Sequence, residues 1–147
     1  MSETELPAVR HLALGAALLG TVVRRAEDAA AAEQLESEVR GLGVPAPTDA
    51  QAVARTGVRV IALAVRALDL AETVRPAGPR AVIGRVAAAA EALRAALGTA
   101  RVDVEVALAD VADPAVREEL LTAVDPVDDV VLRAAKLTAV VREQIPR

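Results

Sequence analysis

The chain has 147 residues, enough for one ordinary domain with a buried core, and it is read as a single domain over residues 1–147. It contains no Phe, Tyr or Trp and carries a net charge of -4, which removes the stacking platforms of single-strand nucleic-acid binders and argues against a phosphate-binding surface. It has no cysteine, so disulfides, thiolate metal sites and a cysteine nucleophile are excluded, a usage compatible with a cytoplasmic location.

Pro7 suits a first helical position, and a helical stretch from there, broken near Gly20, runs to Arg40. Within it, residues 12–23 (LALGAALLGTVV) are apolar or small but span only about half of the roughly 20 residues needed to cross a bilayer. The flanks, Glu3 and Glu5 before and Arg24 and Arg25 after, do not suit an export signal. A buried or interface helix is the expectation, with no membrane span. The loop GLGVPAPT at 41–48 comes next, and Thr48 with Gln51 has the form of a capping box opening the next helix. On that helix Gln51, Arg55, Arg59, Arg66, Asp69 and Thr73 share one side, which leaves Ala54, Val58, Ile61, Val65 and Leu68 to face inward.

RPAGPR at 75–80 breaks the chain before an Ala-rich helix predicted over 81–97 and ended by Gly98. At 101–108 Val102, Val104, Val106 and Leu108 alternate with polar or small residues at the period of a strand. A lone strand leaves its backbone groups unpaired unless a second subunit pairs with it, and helix is favoured. Asp113-Pro114 and Asp125-Pro126 then offer two cap-plus-first-turn starts for terminal helices. The expected fold class is all-α, an antiparallel helical bundle of about five to six helices.

Two stretches carry a resemblance. Gly78, Pro79, Arg80, Ala81, Val82, Ile83, Gly84, Arg85 and Val86 fall on a pattern shaped like G-N-x-N-x-I-S-D-V that precedes an Ala-rich helix. Val102, Asp103, Val104, Glu105, Val106, Ala107 and Leu108 fall on one like L-N-V-x-I-N-L. Upstream, AEDAAA at 26–31 is similar to a D-x-x-A segment, and the likeness continues weakly to the C-terminus. The chain thus resembles the cyclodeaminase/cyclohydrolase family, all-helical enzymes that process formimino- or methenyl-tetrahydrofolate. The apolar positions match, whereas Pro79, Ala81, Gly84 and Arg85 stand where the family shows Asn, Asn, Ser and Asp. Asp103 and Ala107 fill the later Asn pair, and the family's glycine-rich P-G-G-G-S entry is absent. The resemblance implies helix over 101–109, a homodimer with a cleft between subunits, and a tetrahydrofolate derivative as candidate ligand; no resident cofactor is expected.

Arg85 is the first candidate site residue. By rotation it points away from Glu91 and Arg94, along a line shared by Ala89, Ala92 and Ala96. With Arg80 it is assigned to an anionic ligand group such as a carboxylate; the competing role is an ion pair with Asp103, Glu105 or an acid of a second subunit. Asp103, Glu105, Asp28 and His11 are the candidate acid–base residues, since general catalysis needs such a group within reach of the reacting nitrogen. His11 is the only histidine, so a multi-histidine metal site cannot form and no metal is expected. A solvated acidic face is the plainer account of Glu27 and Asp28, and Asp129 is spaced to pair with Arg133 on the last helix.

Three function classes result: a dimeric small-ligand-binding or partner subunit that has lost folate turnover, which is favoured; an active enzyme acting on a cyclic C–N bond with a rearranged acid or base; and an unrelated Ala-rich helical interaction protein.

Overall fold

The computed structural model describes residues 5–42, 48–74 and 79–146. Among them six helices occur in order: α1 (Pro7–Gly20), α2 (Ala26–Arg40), α3 (Ala50–Val74), α4 (Arg80–Leu108), α5 (Pro114–Val124) and α6 (Val127–Glu143), and no strand occurs. The all-α expectation holds, and residues 101–108 are helical despite their alternation. Val104, Ala107 and Leu108 are buried with Ala54, Val111 and Leu120, so tertiary packing overrides the strand-like pattern.

Helix α4 is the centre of the bundle, packed on α3, α1 and α6. Its contacts fix the directions of its neighbours. Gly57 of α3 lies against Ala100 and Val104, so the start of α3 meets the end of α4 and the two run antiparallel. Glu91 meets Thr138 and Arg101 meets Asp128, which makes α6 antiparallel to α4 as well. Without aromatics the core is built from Leu, Val, Ile and Ala, among them Leu12, Leu19, Leu68, Leu93, Leu97, Val60 and Val86, all fully buried. Small residues set the spacing. A Cβ on Gly15 would lie 2.8 Å from Leu93 Cδ2, and one on Gly57 2.9 Å from Val104 Cγ2, so at both glycines a neighbouring helix comes too close for a larger residue to fit without a shift.

Several boundaries differ from expectation. The cap of α3 is Asp49, whose Oδ1 accepts from the Ala52 amide at 2.9 Å; a carboxylate one residue nearer the first turn takes the role assigned to Thr48. The expected stop at Gly98 does not occur, and α4 continues to Leu108. A glycine ends a helix by turning left-handed, and here the buried residues beyond it keep the chain helical. Asp113 caps α5 as expected, accepting from the Ala115 amide at 2.9 Å. Asp125 instead sits in helical conformation at the end of α5, and α6 starts at Val127 with no side-chain cap.

Arginines tie the helices together. Arg133 donates to Glu72 and Asp69 of α3, each at 2.6 Å, and these two carboxylates, Glu72 first, push its pKa up. The expected Arg133–Asp129 pair is therefore replaced, because α3 offers two acids against one. Arg66 of α3 bridges to Glu38 of α2 at 2.7 Å, and that bond is the main reason the Glu38 pKa is lowered. From α5, Arg117 donates to the carbonyls of Leu108 and Val111, serving the C-terminal end of α4, which has no basic residue in its own last turn.

Candidate functional site

The candidate residues fall at several places in the bundle. Arg85 lies in the second turn of α4 and is exposed, as is Arg80. Ala89, Ala92 and Ala96 on the same line are buried, as are Ile83 and Val86 in the first two turns of α4, so Arg85 stands on the uncovered side of those turns. Rotation lets Arg85 face a partner, a pocket or a second subunit, and its own chain leaves it exposed. Its pairing with Asp103 or Glu105 of the same chain is corrected. The two positions stand on one continuous helix, Asp103 five turns further on, which separates them by about 27 Å.

Asp103 occupies a different setting. Together with Thr48, Ala50, Val53, Val106, Ala107 and Asp110 it lines a shallow pocket of about 250 Å³ between the start of α3 and the end of α4. Its Oδ2 is buried with no hydrogen-bond partner, and burial pushes its pKa up. Burial makes the protonated form easier to reach than in a free carboxyl, and in that form the group donates one hydrogen bond while still accepting at the other oxygen. Two carboxyls, Asp103 and Asp110, and an apolar wall from Val53 and Val106 suit a ligand bearing an N–H or hydroxyl group beside an apolar body. Glu105, two residues on, is exposed and points elsewhere on the helix.

The remaining candidates do not join this pocket. Asp28 lies in the first turn of α2, where the helix dipole favours an acid. It is only 9% exposed, so the solvated-face account holds for Glu27 and fails for Asp28. His11 is half-buried on α1. Neither lines the Asp103 pocket. Among the described residues no group of three potential ligands could hold a metal ion, and no helix is long and apolar enough to cross a membrane.

The state of Asp103 has a measurable consequence. Its pKa in the folded chain lies above that of the unfolded chain, so the native state holds the proton longer. Stability is therefore lost as pH rises from the ordinary carboxylate value, about 4, through the folded value. Asp103→Asn should raise the melting temperature at neutral pH, and the gain should vanish in melts below about pH 4. A gain independent of pH would mean that ionisation of Asp103 is not its cause.

Sequence reasoning located Asp103 through its match to an amide position, but not the pocket, since the opposite wall comes from residues 48–53, remote in sequence. The formiminotransferase-cyclodeaminase family matches residues 46–126, which takes in α3, α4 and α5. The 26–31 segment and α6, to which the resemblance extends more weakly, lie outside that match. No curated protein matches the chain closely enough to count as a relative. With more than half of its length matched, and with the Asp103 pocket and the start of α4 both inside the matched region, the chain belongs to the formiminotransferase-cyclodeaminase family.

Proposed function

We propose that this protein is a dimeric small-ligand-binding or partner subunit of the cyclodeaminase type that has lost folate turnover. The observation that carries the reading is the separation of Arg85 from Asp103. The resemblance puts an acid in the family at the place of Arg85, and the other candidate carboxyl lies about 27 Å further along the same helix. General acid–base catalysis needs such groups within hydrogen-bond reach of the reacting atoms. A guanidinium instead binds, and its planar fork suits a carboxylate. The tetrahydrofolate skeleton, by the resemblance, is the first ligand class to examine, and its glutamyl carboxylates fit that role.

A second reading keeps catalysis, on a cyclic C–N bond of folate or another substrate. It draws on Asp103 itself, because a partly buried carboxyl with a raised pKa in a cleft is the kind of group that serves as acid or base.

Thermal melts separate ligand binding from its absence. Tetrahydrofolate or a simple dicarboxylate such as succinate should raise the melting temperature with dose, by roughly 5–10 °C at 100 times the dissociation constant, and less in Arg85→Ala. A flat response to both removes the ligand role and leaves the partner-subunit form.

A further inference from the structure

The hydrophobic core divides into two clusters. The larger runs through α1, α2, α3, α4 and α6, while the smaller joins only Ala54, Val104, Ala107, Leu108, Val111 and Leu120, with Val124 packed against both. Helix α5 belongs to the smaller one, and Leu120 is its single buried residue. A helix of 11 residues is too short to persist in water without packing, so α5 depends on that docking. Its polar ties are equally few. Among the described residues Arg117 is the one α5 side chain bonded to another part of the chain, through the carbonyls of Leu108 and Val111, whereas Thr122 bonds within its own helix. Proline sets both ends of α5: Pro114 opens it, and Pro126, which has no N–H to give back to the last turn, closes it.

The end of α4 needs that guanidinium. Asp103, Glu105 and Asp110 gather acids where the dipole of α4 is already negative, and no base stands in its last turn. Arg117 supplies the missing positive charge from a neighbouring helix, so withdrawing it loosens α5 and the end of α4 at once. The same end of α4 forms one wall of the Asp103 pocket. Ala107 belongs both to the small cluster and to that wall, and Ala50, from the opposite wall, packs against the same cluster. No α5 residue lines the pocket, yet the two share the seam between the start of α3 and the end of α4. We infer that α5 is a latch: when Arg117 lets go, α5 and the last turns of α4 open together as one local unit, and the Asp103 pocket keeps its shape only while the latch is closed. The latch is independent of whether the chain turns over folate. A ligand that fits the closed pocket stabilises docked α5 by the same free energy with which docked α5 favours the ligand. The main core stays outside the unit, since Leu12, Leu19, Leu93 and Leu97 are buried in the larger cluster.

Hydrogen exchange of the whole chain, read by mass spectrometry, tests the latch. In the unaltered protein the amides of 107–111 and 118–124 should exchange at least about tenfold faster than those of 12–19 and 89–97. Equal rates in the two sets would mean that no separate unit opens, and would overturn the inference. Arg117→Met keeps an apolar stem and removes the donors. It should quicken exchange in the first set about tenfold or more and leave the second unchanged, with Arg117→Lys in between and Arg142→Met, at the exposed end of α6, changing neither. A variant that loses protection throughout would show that the unit is not separable, which overturns the inference as well. The pocket wall is read by thiol labelling, because the chain has no native cysteine. Labelling of Ala107→Cys should quicken when Arg117→Met is added, by about the same factor as the exchange, while Ala90→Cys, buried in the larger cluster, should stay protected. Faster exchange in α5 with unchanged labelling at 107 would sever the latch from the pocket and overturn the link between them.

Discussion

Leu93→Ala is expected to lower stability by about 2–5 kcal/mol, seen as a fall of roughly 5–20 °C in the melting temperature. Leu93 is fully buried on α4, and its side chain lies where a Cβ on Gly15 of α1 would be, only 2.8 Å from Cδ2. Removing three carbons leaves a gap between two helices already held at close approach by glycine. No aromatic ring is present to swing into that gap, and the surrounding alanines have no rotamers with which to fill it. The cost should therefore fall toward the upper part of the range. A melt lowered by only a degree or two would show that α1 closes onto α4 without the leucine.

Gly57→Leu should be nearly as severe, for the opposite reason. Its Cβ would come within 2.9 Å of Val104 Cγ2 and 3.1 Å of the Ala100 carbonyl oxygen. The valine methyl can shift, but the carbonyl belongs to the backbone of α4. Overpacking of this kind costs about 1–3 kcal/mol, sometimes more, and here it outweighs the gain of about 1 kcal/mol from replacing a helical glycine. The damage should concentrate where α3, the end of α4 and α5 meet, so hydrogen exchange at Leu108 and Leu120 should quicken more than at Leu12. Uniform loss of protection would argue that the bundle unfolds only as a whole.

Much of this fold was legible in the sequence because the helices are punctuated by strong local signals. Pro7, Asp113-Pro114 and the proline- and glycine-rich breaks mark ends through backbone constraints that act within a few residues. Gly98 misled because its effect depends on the residues beyond it: Val104, Ala107 and Leu108 are buried against α3 and α5, and that packing holds the helix through the glycine. The alternating valines of 101–108 have the local period of a strand, yet helix is favoured there because a lone strand leaves its backbone unpaired, and the burial of Val104, Ala107 and Leu108 bears that out. Pairing of charges was the least legible. Arg133 has an acid four residues before it, yet it reaches Asp69 and Glu72, which only the antiparallel packing of α3 and α6 brings close. The site shows the same division. The identity of Asp103 as an altered amide position could be read from the pattern of residues, whereas the wall opposite it and the distance to Arg85 are products of the fold. That one helix spans both stretches of the resemblance was the decisive fact, and the apparent break at Gly98 concealed it.

The most direct measurement is the rate at which methenyl-tetrahydrofolate loses its absorbance with the purified protein present, set against the same buffer without it. Loss of turnover requires equal rates at every protein concentration, for the unaltered chain and for Asp103→Asn alike. A rate that saturates with substrate, scales with protein and falls in Asp103→Asn would refute that loss, and would make Asp103 the acid or base of a working enzyme.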